Sequence, residues 1–148
     1  MSNSFTRGLR AAAAATAPIL FGYVFVGMAF GLLLQKTGYG VLWAFLSSLT
    51  VYSGSMQFVL VELLMGWPGF LHAVQIRHAF YGLSLIEAFK GLGIRKLYLI
   101  FALTDETYSL LCSIKPPKAM PRGRFYLLIA LLNQCYWIAG SVIGATVG

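Results

Sequence analysis

The chain has 148 residues, 59% hydrophobic and only 10% charged, with a formal net charge of +7 and a mean hydropathy of +0.78. A soluble globular domain carries about 25% charged residues, so this chain lacks the polar surface to face water, and most of it must face lipid. Its bases sit mostly in short gaps between apolar runs, where Lys and Arg meet lipid headgroups, which excludes a nucleic-acid-binding face.

A bilayer takes about 20 apolar residues per crossing, so the length allows about five spans. Arg7 and Arg10 precede an Ala-rich run that stays apolar to about Leu34. That run is longer than the apolar region of a secretion signal and no small-residue cleavage pattern follows, so it reads as a retained first span. Pro18 with Gly22 predicts a kink in it. The stretch Gln35 to Gly40 turns the chain.

The second span runs from about Val41 to Met65. Inside it, Ser53, Gly54, Ser55 and Gln57 interrupt an apolar helix. Gly and Ser weaken a helix, and unwound backbone within a membrane is tolerated where it lines a cavity. Ser53, Ser55 and Gln57 are therefore candidate pathway residues; the alternative is hydroxyls bonded back to helix carbonyls. Gly66 to Gly69 turns the chain again.

The third span, about Phe70 to Phe89, carries Gln75, Arg77, His78 and Tyr81. Wound at 100° per residue, Arg77, Tyr81 and Ser84 fall on one side, and His78, Gly82 and Gln75 continue the arc. A charge at the bilayer centre costs about 3 kcal/mol on insertion scales and needs a partner or water. The arc reads as a substrate or ion pathway, or as an arginine that pins two helices together.

Lys90 to Lys96 forms a basic loop before the fourth span, about Leu97 to Ile114. On a continuous wheel, Tyr98, Asp105, Tyr108, Ser109 and Cys112 share a face, with Glu106 and Ser113 at its edge. Leu99, Leu103, Leu110, Leu111 and Ile114 lie opposite. One basic and one acidic arc predict an Arg77–Asp105 or His78–Asp105 contact. Both flanks of this span are basic, which conflicts with simple alternation of sides. Either one segment is re-entrant or the positive-inside bias is overridden, and five crossings is a working count.

The prolines of Lys115 to Arg124 end the helix, and a fifth span follows from about Phe125 to Val147. Asn133 and Gln134 are polar inserts in it, read as interhelical hydrogen bonds or as pathway residues. Gly27 with Gly31, and Gly140 with Gly144, have the spacing that lets helix backbones approach closely in lipid. The two pairs are also consistent with an internal repeat. Cys112 and Cys135 lie inside apolar runs with no paired-cysteine or Cys/His spacing, so they read as packing residues, and no metal or other cofactor is expected.

Several stretches together resemble the branched-chain amino-acid exporter family of AzlC-type large-subunit permeases. Ile76 to Leu85 (IRHAFYGLSL) and Leu103 to Leu111 (LTDETYSLL) are similar to two of its signatures. Ser53 to Leu64, Pro18 to Gly31 and Tyr136 to Gly148 are similar to others, so the resemblance covers nearly the whole chain. It implies a multi-pass protein of the bacterial inner membrane and the larger half of a two-component exporter. The implied partner is a small hydrophobic AzlD-type membrane subunit. The implied cargo is valine, leucine or isoleucine, sometimes methionine, with export driven by the proton gradient. Gln75 departs from the family, which often has Asn there. Members of the family run longer than this chain, so its last spans are expected to be missing.

The expected architecture is all-α: a polytopic integral membrane protein with one transmembrane domain over 1–148, about five transmembrane segments, and room for broken or re-entrant helices. In the expected mechanism Arg77 meets the amino-acid carboxylate. Asp105 or Glu106 meets the ammonium group or carries a proton, and His78 links proton movement to conformation. Tyr81, Tyr108, Ser109 and Asn133 complete the pathway. Apolar residues around Met56 and Phe58 receive the branched side chain. Three other classes fit parts of the sequence: a non-transporting assembly subunit, an ion channel, and an intramembrane serine hydrolase using Ser55 and His78. The last lacks the Gly-x-Ser-x-Gly setting, and no enzyme activity is expected.

Overall fold

The structure is a computed structural model that describes residues 2–65, 89, 91–118 and 120–148. Six α-helices and no strand occur among the described residues: α1 (Ser2–Lys36), α2 (Val41–Thr50), α3 (Gly54–Leu64), α4 (Arg95–Phe101), α5 (Asp105–Ser113) and α6 (Arg122–Val147). They belong to two compact units. One comprises residues 1–19 and 78–133, the other residues 20–77 and 134–148. The expected third span, with Gln75, Arg77, His78 and Tyr81, lies outside the described residues, and so does its predicted contact with Asp105.

α1 and α6 are long and apolar enough to cross a membrane. α1 extends nine residues before the expected start at Ala11 and runs on through Pro18. Its buried residues Ala12, Thr16, Tyr23, Phe30 and Leu34 recur at helical spacing, while Phe21 and Phe25 on the other face are each 67% exposed. This is the one-sided stripe of a helix that packs along one edge only. Thr16 spends its hydroxyl within the helix, donating to Ala12 O at 3.0 Å. α6 starts directly after Pro121, whose fixed φ suits the entry to a helix.

In the second unit the glycine pairs meet. A Cβ added at Gly27 would lie 3.0 Å from both Ser141 N and Trp137 O, and one at Gly31 would strike Ser141 O and Ala145 N. Added at Gly140 it would lie 2.6 Å from Val24 O, and at Gly144 it would strike Met28 O. The contacts are backbone on both sides. The two spacings read in the sequence are therefore the two halves of one close helix–helix seam.

The second and fourth spans are not continuous helices. The second stops at Thr50 and restarts at Gly54. Tyr52 sits between with φ +39°, left-handed backbone that costs a non-glycine residue about 1 kcal/mol, and it is buried. The fourth stops at Phe101 and restarts at Asp105. Here the cause is local: Thr104 is extended and its Oγ1 accepts from Thr107 N–H at 3.3 Å, an N-cap, with Asp105 and Glu106 in the first turn. A cap followed by acidic residues starts a new helix. The wheel drawn across that point therefore joins two separate helices.

Cys112 and Cys135, read as packing residues, are both exposed on the chain and do not pack in its own core. They sit on faces of α5 and α6 turned away from this chain's own core.

Candidate functional site

Among the described residues each unit contains one interrupted helix, and each interruption is lined by buried polar side chains. In the second unit the centre is Gln57, fully buried on α3. Its Nε2 donates to Ser47 Oγ at 3.3 Å and Ser48 Oγ at 3.1 Å on α2. Its Oε1 accepts from Trp137 Nε1 at 2.7 Å. Ser47 in turn donates to Ala44 O at 3.2 Å. One carboxamide thus joins the two half-helices to each other and to α6, using donor and acceptor groups together.

Trp137 closes this region from α6. Its ring packs edge-on against Tyr23 at 5.6 Å and is stacked on Phe30 at 6.4 Å, and Phe30 also meets Phe58 at 6.0 Å. A Cβ on Gly54, the first residue of α3, would lie 3.1 Å from the indole. Three residues before Trp137 on α6, Gln134 donates from Nε2 to Leu49 O at 3.2 Å, satisfying a carbonyl that the end of α2 leaves without a helical partner.

In the first unit the centre is Asn133, fully buried on α6. Its Nδ2 donates to Thr107 Oγ1 at 2.9 Å, and the Thr104 hydroxyl donates to the same oxygen at 2.9 Å. Nearer the start of α6, Arg122 Nε donates to Tyr126 OH at 3.1 Å with its guanidinium 5.1 Å from the ring centroid.

On another side of α5 a groove of about 450 Å³ runs between α5 and α1. Asp105, Glu106, Ser109 and Ser113 line one wall, and Ala15, Pro18 and Ile19 the other. The spacing 105, 109, 113 with 106 is one face of a helix.

The structure thus brings together part of the expected set. Gln57 and Ser53 are buried at the first interruption, while Ser55 is exposed. Asp105, Glu106 and Ser109 share the groove. Tyr108 is half-buried and does not line it, because on α5 it lies about 100° round from Ser109, away from Glu106 and Ser113. Leu103 and Leu111, expected opposite the polar arc, form part of the buried core. Asn133 joins the Thr104–Thr107 cap, and its neighbour Gln134 makes the interhelical bond that was one reading of it. Trp137, Ser47, Ser48, Thr104 and Thr107 were missed. The Thr-Asp-Glu sequence carried a helix-start signal that would have found the last two. Among the described residues no cluster of three His, Cys, Asp or Glu side chains forms a metal site.

Comparison with known proteins agrees with the resemblance. A family model described as "AzlC protein" matches residues 18–148. The "Branched-chain amino acid transport protein AzlC" of Bacillus subtilis is 35% identical over 90% of this chain and 55% of its own length. An uncharacterized membrane protein of Helicobacter pylori is 38% identical over 99% of this chain and 67% of its own. The "Inner membrane protein YgaZ" of Escherichia coli is 31% identical over 88% and 57%. The chain thus spans between 55% and 67% of the length of these relatives. No solved structure matches it significantly. The relatives' names and the two long apolar helices together point to a membrane location.

Proposed function

Because the chain belongs to the AzlC family, we propose that it acts as the larger subunit of a secondary exporter of branched-chain amino acids, crossing the bacterial inner membrane several times. The name of the Bacillus subtilis relative supports the cargo class, and that of the Escherichia coli relative supports the membrane. The observation that carries the reading is the pair of interrupted helices with buried polar linings. Discontinuous helices are how transporters offer backbone amides and carbonyls to a charged substrate within a lipid environment.

In this reading the groove beside α5 is the cargo's route. Its volume suits a small molecule, and Asp105 or Glu106 receives the ammonium group or carries the proton that couples transport to the proton gradient. Ser109 adds a hydroxyl. Arg77 supplies the carboxylate partner and His78 the titrating group, with Gln75 and Tyr81 as further pathway residues. The partner is a small hydrophobic AzlD-type subunit.

The test is efflux of valine, leucine and isoleucine from peptide-loaded cells, with and without the small subunit. Partner-dependent efflux is expected, and Asp105→Asn should lower it by about tenfold, the loss of one charge-assisted contact, while protein level and complex formation stay unchanged. No efflux from well-inserted protein with its partner present defeats the proposal. An Asp105→Asn protein that no longer assembles favours a structural assembly role instead.

A further inference from the structure

The two ends of the α4–α5 pair lie at one level of α6. Just before α4, Leu92 packs against Gly123, where an added Cβ would strike the leucine side chain. At the interruption, Thr107 Oγ1 accepts from Asn133 Nδ2 at 2.9 Å, about 15 Å further along α6. α5 then comes back. The Leu111 carbonyl accepts from Tyr126 OH at 3.5 Å, close to the start of α6. The two helices measure only about 10 and 14 Å, so neither crosses a hydrocarbon layer of about 30 Å. The pair descends along α6 to Asn133 and returns.

The same end of this unit gathers positive charge. The start of α1 is held there, since a Cβ on Gly8 would strike the Met120 side chain. Arg7 and Arg10 flank Gly8, Arg95 opens α4, and Lys115, Lys118 and Arg124 lie around the start of α6; all six are exposed. No Asp or Glu occurs in residues 2–10, 91–97 or 115–124. Apolar side chains stand among these cations: Phe5 and Leu9 on α1 are exposed, and Ile94 and Leu97 at α4 are 84% and 68% exposed. That mixture fits a membrane boundary, where apolar side chains enter the acyl region and long cationic ones reach the headgroups. An acidic protein surface would match the charge but leave the apolar side chains in water. Basic loops favour the cytoplasmic side, and the leaflet there is anionic.

We propose that α4–α5 is a re-entrant pair, entering and leaving on the cytoplasmic side, and that the cationic face around its ends docks on the headgroups of anionic phospholipids. The two basic flanks of the expected fourth span then stand on one side, together with Arg7 and Arg10. The proposal does not depend on the cargo.

Two measurements test it. In a background of Cys112→Ser and Cys135→Ser, single cysteines at Arg7→Cys, Ile94→Cys and Lys118→Cys are treated with a membrane-impermeant maleimide. All three should label in inside-out vesicles and not in intact cells. Labelling of Ile94→Cys and Lys118→Cys from opposite sides, or of all three from outside, overturns the proposal. Thermal unfolding of the purified protein is then followed in phosphatidylcholine nanodiscs with a rising fraction of phosphatidylglycerol. The midpoint should rise saturably. Each base near an anionic surface is worth about fivefold in binding, so Arg7→Gln, Arg95→Gln, Lys118→Gln and Arg124→Gln combined should abolish the rise. The midpoint of that variant in phosphatidylcholine alone should equal the parent's, which separates lost docking from a folding defect. The same four positions changed to the other base, Lys for Arg and Arg for Lys, should keep the response, as should Lys36→Gln at the opposite end of α1. The lipid is overturned as the occupant if the parent gives no rise, if the four-Gln variant still responds, or if soluble glycerol phosphate or poly-glutamate raises the midpoint as much without phosphatidylglycerol.

Discussion

Gly31→Val is expected to separate α1 from α6 and to cost about 3 kcal/mol or more, the upper end of what overpacking costs. The reason is what the new side chain would meet. At Gly31 a Cβ strikes Ser141 O and Ala145 N, backbone atoms of a helix that cannot turn aside as a flexible side chain does. Gly144 presents the same problem from the other side, against Met28 O. Gly22 provides the control on the same helix, because nothing lies within 4 Å of its added Cβ. Gly22→Ala should leave stability unchanged or raise it by up to about 1 kcal/mol through helix propensity. Thermal unfolding in nanodiscs compares the two variants. Equal midpoints for Gly31→Val and Gly22→Ala would show that the glycine seam contributes nothing.

The second large effect is expected at Gln57. Gln57→Leu keeps the volume but removes the groups that hold α2, α3 and α6 together. Ser47 still donates to Ala44 O, so its loss is small. The Trp137 N–H, however, is left buried without its 2.7 Å acceptor, and an orphaned buried donor costs about 1–3 kcal/mol. With the lost bond to Ser48 the total should be about 3 kcal/mol. Gln57→Glu retains an acceptor for the indole and should be milder. With Trp43 and Trp67 replaced by Phe, the emission of Trp137 reports the change directly. A Gln57→Leu protein with unaltered Trp137 emission and unfolding midpoint would remove the network from the account of this fold.

The long helices were legible because lipid-facing composition is a strong, redundant signal: the apolar runs of α1 and α6 need no partner to be recognised. The glycine seam was legible as two spacings, although nothing in the sequence said that one faced the other. The first interruption was visible in Ser53, Gly54 and Ser55, residues that weaken a helix. The second was not read, since the apolar run continues through Ala102 and Leu103 and hides the cap at Thr104 behind it. Trp137 was out of reach for a different reason. Its acceptor lies 80 residues away in the chain, and no local pattern encodes such a contact. Asn133 and Gln134 read correctly as polar inserts, but adjacent amides on a helix point in directions about 100° apart, and which neighbour each would meet was a tertiary fact.

The break at Tyr52 also fixes a length. Wound without interruption, residues 41–64 would form a rod of about 36 Å, enough to cross the roughly 30 Å hydrocarbon layer in one pass. As built, α2 has 10 residues and α3 has 11, so each measures only about 15 Å. Each rod is half a membrane thick. Neither half alone is long enough to cross such a layer, and the carboxamide of Gln57, bonded to Ser47 and Ser48, ties the two halves together where the long rod would otherwise have run on.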